Sequence, residues 1–224
     1  MKINTGAPVD GNEFFGRKRE LQNMSAILGN NKKTSILIPG PRRIGKTSIV
    51  QEFIRQNSDK YKFIYLDLES RNSVIELCSD LTKKIEKEYP GFIKRRLDLK
   101  GTWNQLSEMF QQVNLPGVIG VTTGQITVDI KEIMDRMSDL FETLNKHNFI
   151  FALDEFSDFL LQLGNQGTEE AEQFLKWLRG LRQESKVRLI VSGSVNIIST
   201  VEELNLSNLI NDMADIEIFP LTKE

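Results

Sequence analysis

Gly40-Pro41-Arg42-Arg43-Ile44-Gly45-Lys46-Thr47 constrains this chain more than any other stretch. It reads G-x-x-x-x-G-K-T, the pattern of a loop that wraps phosphate groups. Ser35-Ile36-Leu37-Ile38 ahead of it is a short apolar run, as expected of a buried parallel strand. Behind it, Ile49, Val50, Phe53 and Ile54 recur at helical spacing. Strand, glycine loop and helix in that order point to an α/β layout.

The residue types follow from the chemistry. Several phosphate charges must be held by one short loop. Inward-pointing backbone N–H groups and the positive end of the next helix supply the attraction. Gly40 and Gly45 permit a backbone conformation and a close approach that a Cβ would obstruct. Lys46 is placed to reach the β- and γ-phosphates, and the Thr47 hydroxyl to ligate Mg²⁺. Ser48 completes the set of expected nucleotide-contacting residues, which runs from Gly40 to Ser48.

A second motif supports the first. Phe149-Ile150-Phe151-Ala152-Leu153 is a buried strand ending in Asp154-Glu155. Carboxylates beside a buried strand are costly unless paired, so a cation is their natural partner. Asp154 is expected to hold Mg²⁺, and Glu155 to act as base towards the attacking water. No N/T-K-x-D guanine box occurs, which argues for adenine and hence ATP.

The 224 residues suit one α/β domain, 1–224, with a five-stranded sheet and covering helices. Net charge is −2 with signs interspersed, so nothing demands a nucleic acid or an anionic membrane as partner. The single cysteine, Cys78, excludes an intramolecular disulfide and sits on an apolar helical face. No apolar run nears the ~20 residues of a membrane span, and the N-terminus lacks a signal-peptide core. A cytoplasmic protein is expected.

Along the chain, Arg19 to Leu28, Asn72 to Glu88, Trp103 to Val113, Asp129 to Asn145, Phe156 to Leu163 and Thr168 to Glu184 have helical spacing. Thr168 is the expected N-cap of the last of these, with Glu169 and Glu170 favouring its dipole. Lys62 to Leu68, Arg188 to Ser194 and Asp215 to Phe219 read as further strands, the last an edge strand stopped by Pro220. Residues 114–128, with Pro116, Gly117, Gly120 and Gly124, read as a hairpin or loop insertion. Lys94-Arg95-Arg96 reads as a solvated basic face. Lone His147 without cysteine partners is no zinc site. Arg179 and Arg182 either complement a helix C-terminus or act on phosphate as a sensor or trans-acting finger.

Phe14-Phe15-Gly16-Arg17 followed by Glu20-Leu21 lies one short helix ahead of the glycine loop. F-x-G-R-x-x-E-L ahead of G-x-R-R-x-G-K-T resembles the N-terminal half of archaeal-type AAA+/STAND-like ATPases, relatives of origin-recognition ATPases. The Asp154-Glu155 ending is similar to a Walker B motif with a catalytic glutamate. The resemblance implies an adenine contact near Phe15, Gly16 and Arg17. It also places the Arg188 strand between the two motif strands and ends it in a polar sensor, for which Ser192 and Ser194 are candidates, with Asn196 behind.

The fold it implies is a three-layer P-loop sandwich with a parallel sheet in the order 5-1-4-3-2. The helical lid and the winged helix of that family have no counterpart here, and no arginine follows Arg188. Slow hydrolysis in isolation is therefore expected, since arginine fingers supply about 10³-fold or more in related systems. ATP and Mg²⁺ are the expected ligands. A protein partner or self-association is expected, with DNA only through an additional C-terminal module and no membrane. The competing readings are an ATP-binding interaction module without turnover and, less favoured, a small-molecule kinase.

Overall fold

The computed structural model describes residues 14–30, 35–94, 97–113, 129–193 and 197–221. Among them, β1 (Ser35–Ile38), β2 (Lys62–Asp67), β3 (Phe149–Asp154), β4 (Arg188–Ser192) and β5 (Ala214–Asp215) form one sheet. Its order is β2-β3-β4-β1-β5, and every pairing is parallel. This is the expected order read from the other edge.

The strands alternate between two cores. Leu37, Phe149, Phe151, Leu153, Leu189 and Val191 face one side. Ile36, Ile38, Ile150, Ala152 and Ile190 face the other. A sheet buried on both faces needs such runs of apolar residues, because each face takes every second side chain. Helices α1 (Lys18–Leu28) and α2 (Lys46–Asn57) cover the second face through Leu21, Met24, Ile49 and Phe53. The first is covered by α3 (Val74–Glu88), α4 (Pro90–Lys94), α5 (Leu97–Val113), α6 (Ile130–Asn145), α7 (Phe156–Gln166), α8 (Thr168–Gln183) and α9 (Ile197–Glu203). Cys78 is fully buried there, and its burial raises the thiol well above its ordinary value.

Caps explain several boundaries. Ser73 accepts from the Glu76 N–H, and Asp129 from the Lys131 N–H, so each stands just outside its helix. Thr168 is not the cap it was expected to be. Gly167 closes α7 through its N–H to the Leu163 carbonyl and also precedes α8, so Thr168 is already helical. Helix α7 accordingly runs past Leu163 to Gln166.

The fifth strand is shorter and earlier than expected. The Ile216 N–H donates to Leu37, and there the ladder stops, because β1 passes into Pro39, which has no N–H. Beyond β5, Ile216 and Ile218 are buried and Glu217 is exposed. Between β4 and β5 the described residues form α9 and a 3-10 turn at Ser207–Leu209. The hairpin expected at 114–128 lies outside the described residues.

Arg182 is a structural clamp. It is 3% exposed. Its guanidinium donates to both Asp212 oxygens, at 2.7 and 3.1 Å, and to the Leu209 carbonyl at 2.5 Å. Arg179 bonds the Asn208 carbonyl. Burial alone would raise the Asp212 carboxyl, but the hydrogen bonds and charge of Arg182 outweigh it and hold it below its ordinary value. A depressed carboxyl stabilises the fold above its unfolded pKa, about 3.9, and loses that contribution as pH falls through the folded value. Arg182→Met should therefore cost about 3 kcal/mol at pH 7. Denaturant melts should show the gap from wild type narrowing below about pH 4; a gap independent of pH would contradict the pairing.

Candidate functional site

Parallel strands all point their carboxyl ends to one edge, where open α/β sheets bind ligands. The loop after β1, Asp154 at the end of β3 and Ser192 at the end of β4 meet there, since β4 lies between β1 and β3.

The loop has the backbone its glycines allow. Gly40 has φ 151°, Gly45 has φ 97°, and Arg43 also lies in the left-handed region at φ 65°. Gly45, the N-cap of α2, has no side chain with which to cap the helix. An anion is a natural partner for the amides of such a helix start.

Lys46 turns back into the loop. Its ammonium donates to the carbonyls of Gly40 at 2.8 Å and Pro41 at 2.7 Å. Burial lowers its pKa, opposed by the negative charges of Glu155 and then Asp154.

Asp154 is 2% exposed and collects four donors. Oδ2 accepts from Thr47 Oγ1 at 2.6 Å and from the Tyr65 hydroxyl at 3.0 Å. Oδ1 accepts from Ser192 Oγ at 2.6 Å and from the Glu155 N–H at 3.1 Å. Burial, then the charge of Asp154, raises the Tyr65 phenol above its ordinary value, so it keeps its proton and donates. Glu155 turns the chain from β3 into α7 at φ 54°, an uncommon conformation for a residue with a Cβ. Gly193 gives this corner room: a Cβ there would stand 2.4 Å from Ser157 Oγ.

The sequence-expected residues fall into three groups. Lys46, Thr47, Asp154, Glu155 and Ser192 converge at the sheet edge. Ile44 and Arg17 form a second link, because Arg17 donates to the Ile44 carbonyl at 3.1 Å and pairs with Glu20 at 3.2 Å. That bond ties the Phe-Gly-Arg segment to the loop, with Gly16 at φ 74° and Phe15 74% exposed beside it. Phe14, by contrast, packs on the core. Pro41, Arg42 and Arg43 are exposed and Ser48 is half-buried on α2. Ser194 and Asn196 lie outside the described residues. Asp67, at the end of β2, accepts from the Glu69 N–H.

Two contacts were not anticipated from the sequence. Tyr65 reaches Asp154 from the edge strand, and Arg42 pairs with Asp158 of α7 at 3.2 Å. A cavity of about 320 Å³ beside α3 shares no lining residue with the loop. Its Arg71 and Lys83 are already paired with Asp80, leaving little charge for a phosphate.

Among the described residues, no group of three or more His, Cys, Asp or Glu could hold a metal. Thr47 and Asp154 nevertheless offer a hydroxyl and a carboxylate side by side. These hard oxygen donors fit Mg²⁺, whose remaining ligands are ordinarily phosphate and water. Among the described residues no helix is long and apolar enough to cross a membrane.

The sequence profile of a family described as an ATPase domain predominantly from Archaea matches residues 14–224. An uncharacterized ATP-binding protein of Pyrococcus abyssi is 37% identical over 78 residues, 34% of this chain and 23% of its own length. Another, of Methanocaldococcus jannaschii, is 26% identical over 132 residues, 53% of this chain and 33% of its own.

Among solved structures, a Walker-type ATPase of Pyrococcus abyssi superposes with TM-score 0.58 at 19% identity, over 98% of this chain and 58% of that one. Cdc6p of Pyrobaculum aerophilum gives TM-score 0.53 at 15% identity, over 95% and 47%. The ORC2 protein of Aeropyrum pernix, in its ADP form, gives 0.55 at 15%, over 94% and 50%. These likenesses show the shared α/β P-loop fold. The matches thus span a quarter to a third of the two sequence relatives and about half of the solved chains.

Proposed function

The chain belongs to this family of ATPase domains found predominantly in Archaea, and from that premise we propose that it binds Mg-ATP, hydrolyses it slowly and uses the cycle as a switch on a partner. The observation that carries the reading is the 2.6 Å contact between Thr47 and Asp154, which joins the glycine loop to the acidic strand end.

The roles follow from the geometry. The amides at the start of α2 and in the loop cradle the phosphates. Lys46 exchanges its two carbonyl partners for the β- and γ-phosphates, a stronger pairing for a desolvated ammonium. Thr47 and Asp154 would hold Mg²⁺, which when bound neutralises charge building on the phosphates. Glu155 accepts the proton of the attacking water. Ser192, held on Asp154, orients the polar groups facing the γ-phosphate. Phe15, Gly16 and Arg17 flank the adenine, with Arg17 anchoring that segment to the loop. The chain supplies position and charge, and little covalent chemistry.

Arg182 is buried on Asp212, which removes it as a finger for a neighbouring molecule, and Arg179 is engaged with the Asn208 carbonyl. Slow turnover without an arginine supplied by a partner fits that arrangement.

The reading is tested by mixing a slight excess of protein with ATP and magnesium and following phosphate in a single turnover. Saturable binding with slow phosphate release is the expected result. Binding with no release at all would favour an interaction module that never hydrolyses, and no binding would end the proposal.

A further inference from the structure

Asp154 accepts four hydrogen bonds, two at each oxygen, so a cation would reach it through a bound water or by displacing one donor. Three of the donors come from the loop and the adjoining strand ends: Thr47, Ser192 and the Glu155 amide. The fourth, Tyr65, comes from β2 on the far side of β3. Its register partner is Ala152, two residues before Asp154. The small Ala152 side chain lies on the same face, and two residues of β3 carry the strand on to Asp154.

We propose that Tyr65 is a positioning residue for the divalent cation, its hydroxyl holding Asp154 Oδ2 turned towards Thr47. The proposal rests on the Mg-ATP reading above. A carboxylate on two rotatable bonds can present either oxygen, in many planes, to a cation. Ser192 and the Glu155 amide fix Oδ1 from one side. Thr47 can ligate the cation through an oxygen lone pair and still donate its proton to Oδ2, but it then moves with the cation and is no independent anchor of that oxygen. Tyr65 is the donor left to hold that oxygen in place. Partners of this kind orient the ligands that touch a metal, and their loss typically weakens metal binding about 10- to 100-fold.

Tyr65→Phe removes the hydroxyl and keeps the ring, which is half-buried against the second core. Nucleotide binding is measured for wild type and Tyr65→Phe by calorimetry, with ATP in EDTA and across a magnesium series, alongside thermal melting of both proteins without ligand. The expected result is a ligand-free melt lowered slightly by the lost hydrogen bonds to Asp154 and Gln51, an unchanged affinity in EDTA, and a magnesium midpoint raised about tenfold. An unchanged midpoint would overturn the assignment. So would a lowered one, since the hydroxyl would then be a competitor of the cation rather than its guide. Equal losses in EDTA and in magnesium would mark a purely structural hydroxyl and overturn it too. A wild type that binds ATP with no response to magnesium would sink both the proposal and the cation reading beneath it, whereas a difference confined to Tyr65→Phe bears on Tyr65 alone.

Discussion

Lys46→Ala should weaken Mg-ATP binding about 10- to 150-fold and leave the ligand-free protein no less stable than wild type. The first figure follows from about 1.5–3 kcal/mol for a hydrogen bond to a charged group, with 1.4 kcal/mol per tenfold. The second follows from what Lys46 does without ligand. Lys46 is 5% exposed with its ammonium against two carbonyls, and burial disfavours its charge. Removing it leaves two carbonyls, one on exposed Pro41 and one on half-exposed Gly40, which water can serve. A desolvated cation and its replacement by water nearly cancel, so the ligand-free melt is insensitive while the binding isotherm is not. Calorimetric titration checks the first half and thermal melting the second. Equal affinities for the two proteins would remove the role given to the loop lysine. A large fall in melting temperature would show Lys46 to be a structural brace instead.

That split between a ligand role and a fold role marks what the sequence made legible. The glycine loop and the acidic strand end are local patterns, each written in adjacent residues, so Lys46, Thr47, Asp154 and Glu155 could be named before any coordinates. Their convergence depends only on parallel strands sharing an edge, and the resemblance to a known family fixed which strand lies between them. Tyr65 was not legible, because its bond to Asp154 depends on β2 pairing β3 in a particular register. Its signal is a tyrosine two residues from a strand end, on the face opposite the neighbouring apolar residues, which by itself reads as ordinary core. Ser192 was legible as a strand-end hydroxyl, but its partner was not: it bonds Asp154, a contact no spacing rule announces.

The boundary errors have the same origin. Thr168 is a good cap by composition, yet Gly167 can close one helix and open the next, and that geometry displaced it. The stretch 215–219 was read as a strand, but a strand also needs a partner with a donor, and Pro39 denies it one. Arg182 near a helix end invited an electrostatic role at the dipole or at a phosphate. Only the fold shows that the 3-10 turn and Asp212 enclose it.

Glu155→Gln should retain Mg-ATP affinity and lower single-turnover hydrolysis about 10²- to 10⁴-fold, the range supplied by a positioned general base. Glutamine keeps the size and the polar reach of glutamate but cannot accept the proton of the attacking water. Binding should survive because the proposed cation contacts are those of Thr47 and Asp154, and the Glu155 contact to Asp154 is made by its backbone N–H, which the substitution leaves in place. The uncommon φ of 54° is likewise a property of the turn from β3 into α7, and an amide tolerates it no worse than a carboxylate. Losing a negative charge that acts on Lys46 lowers repulsion towards a triphosphate, so affinity should hold or rise slightly. Phosphate release after rapid mixing, beside an equilibrium titration of the same protein, separates the two quantities. Undiminished release would move the base to another group. Lost binding would mean that the glutamate is needed to shape the site before any water is activated, and that the division of labour between adjacent acids drawn here is wrong.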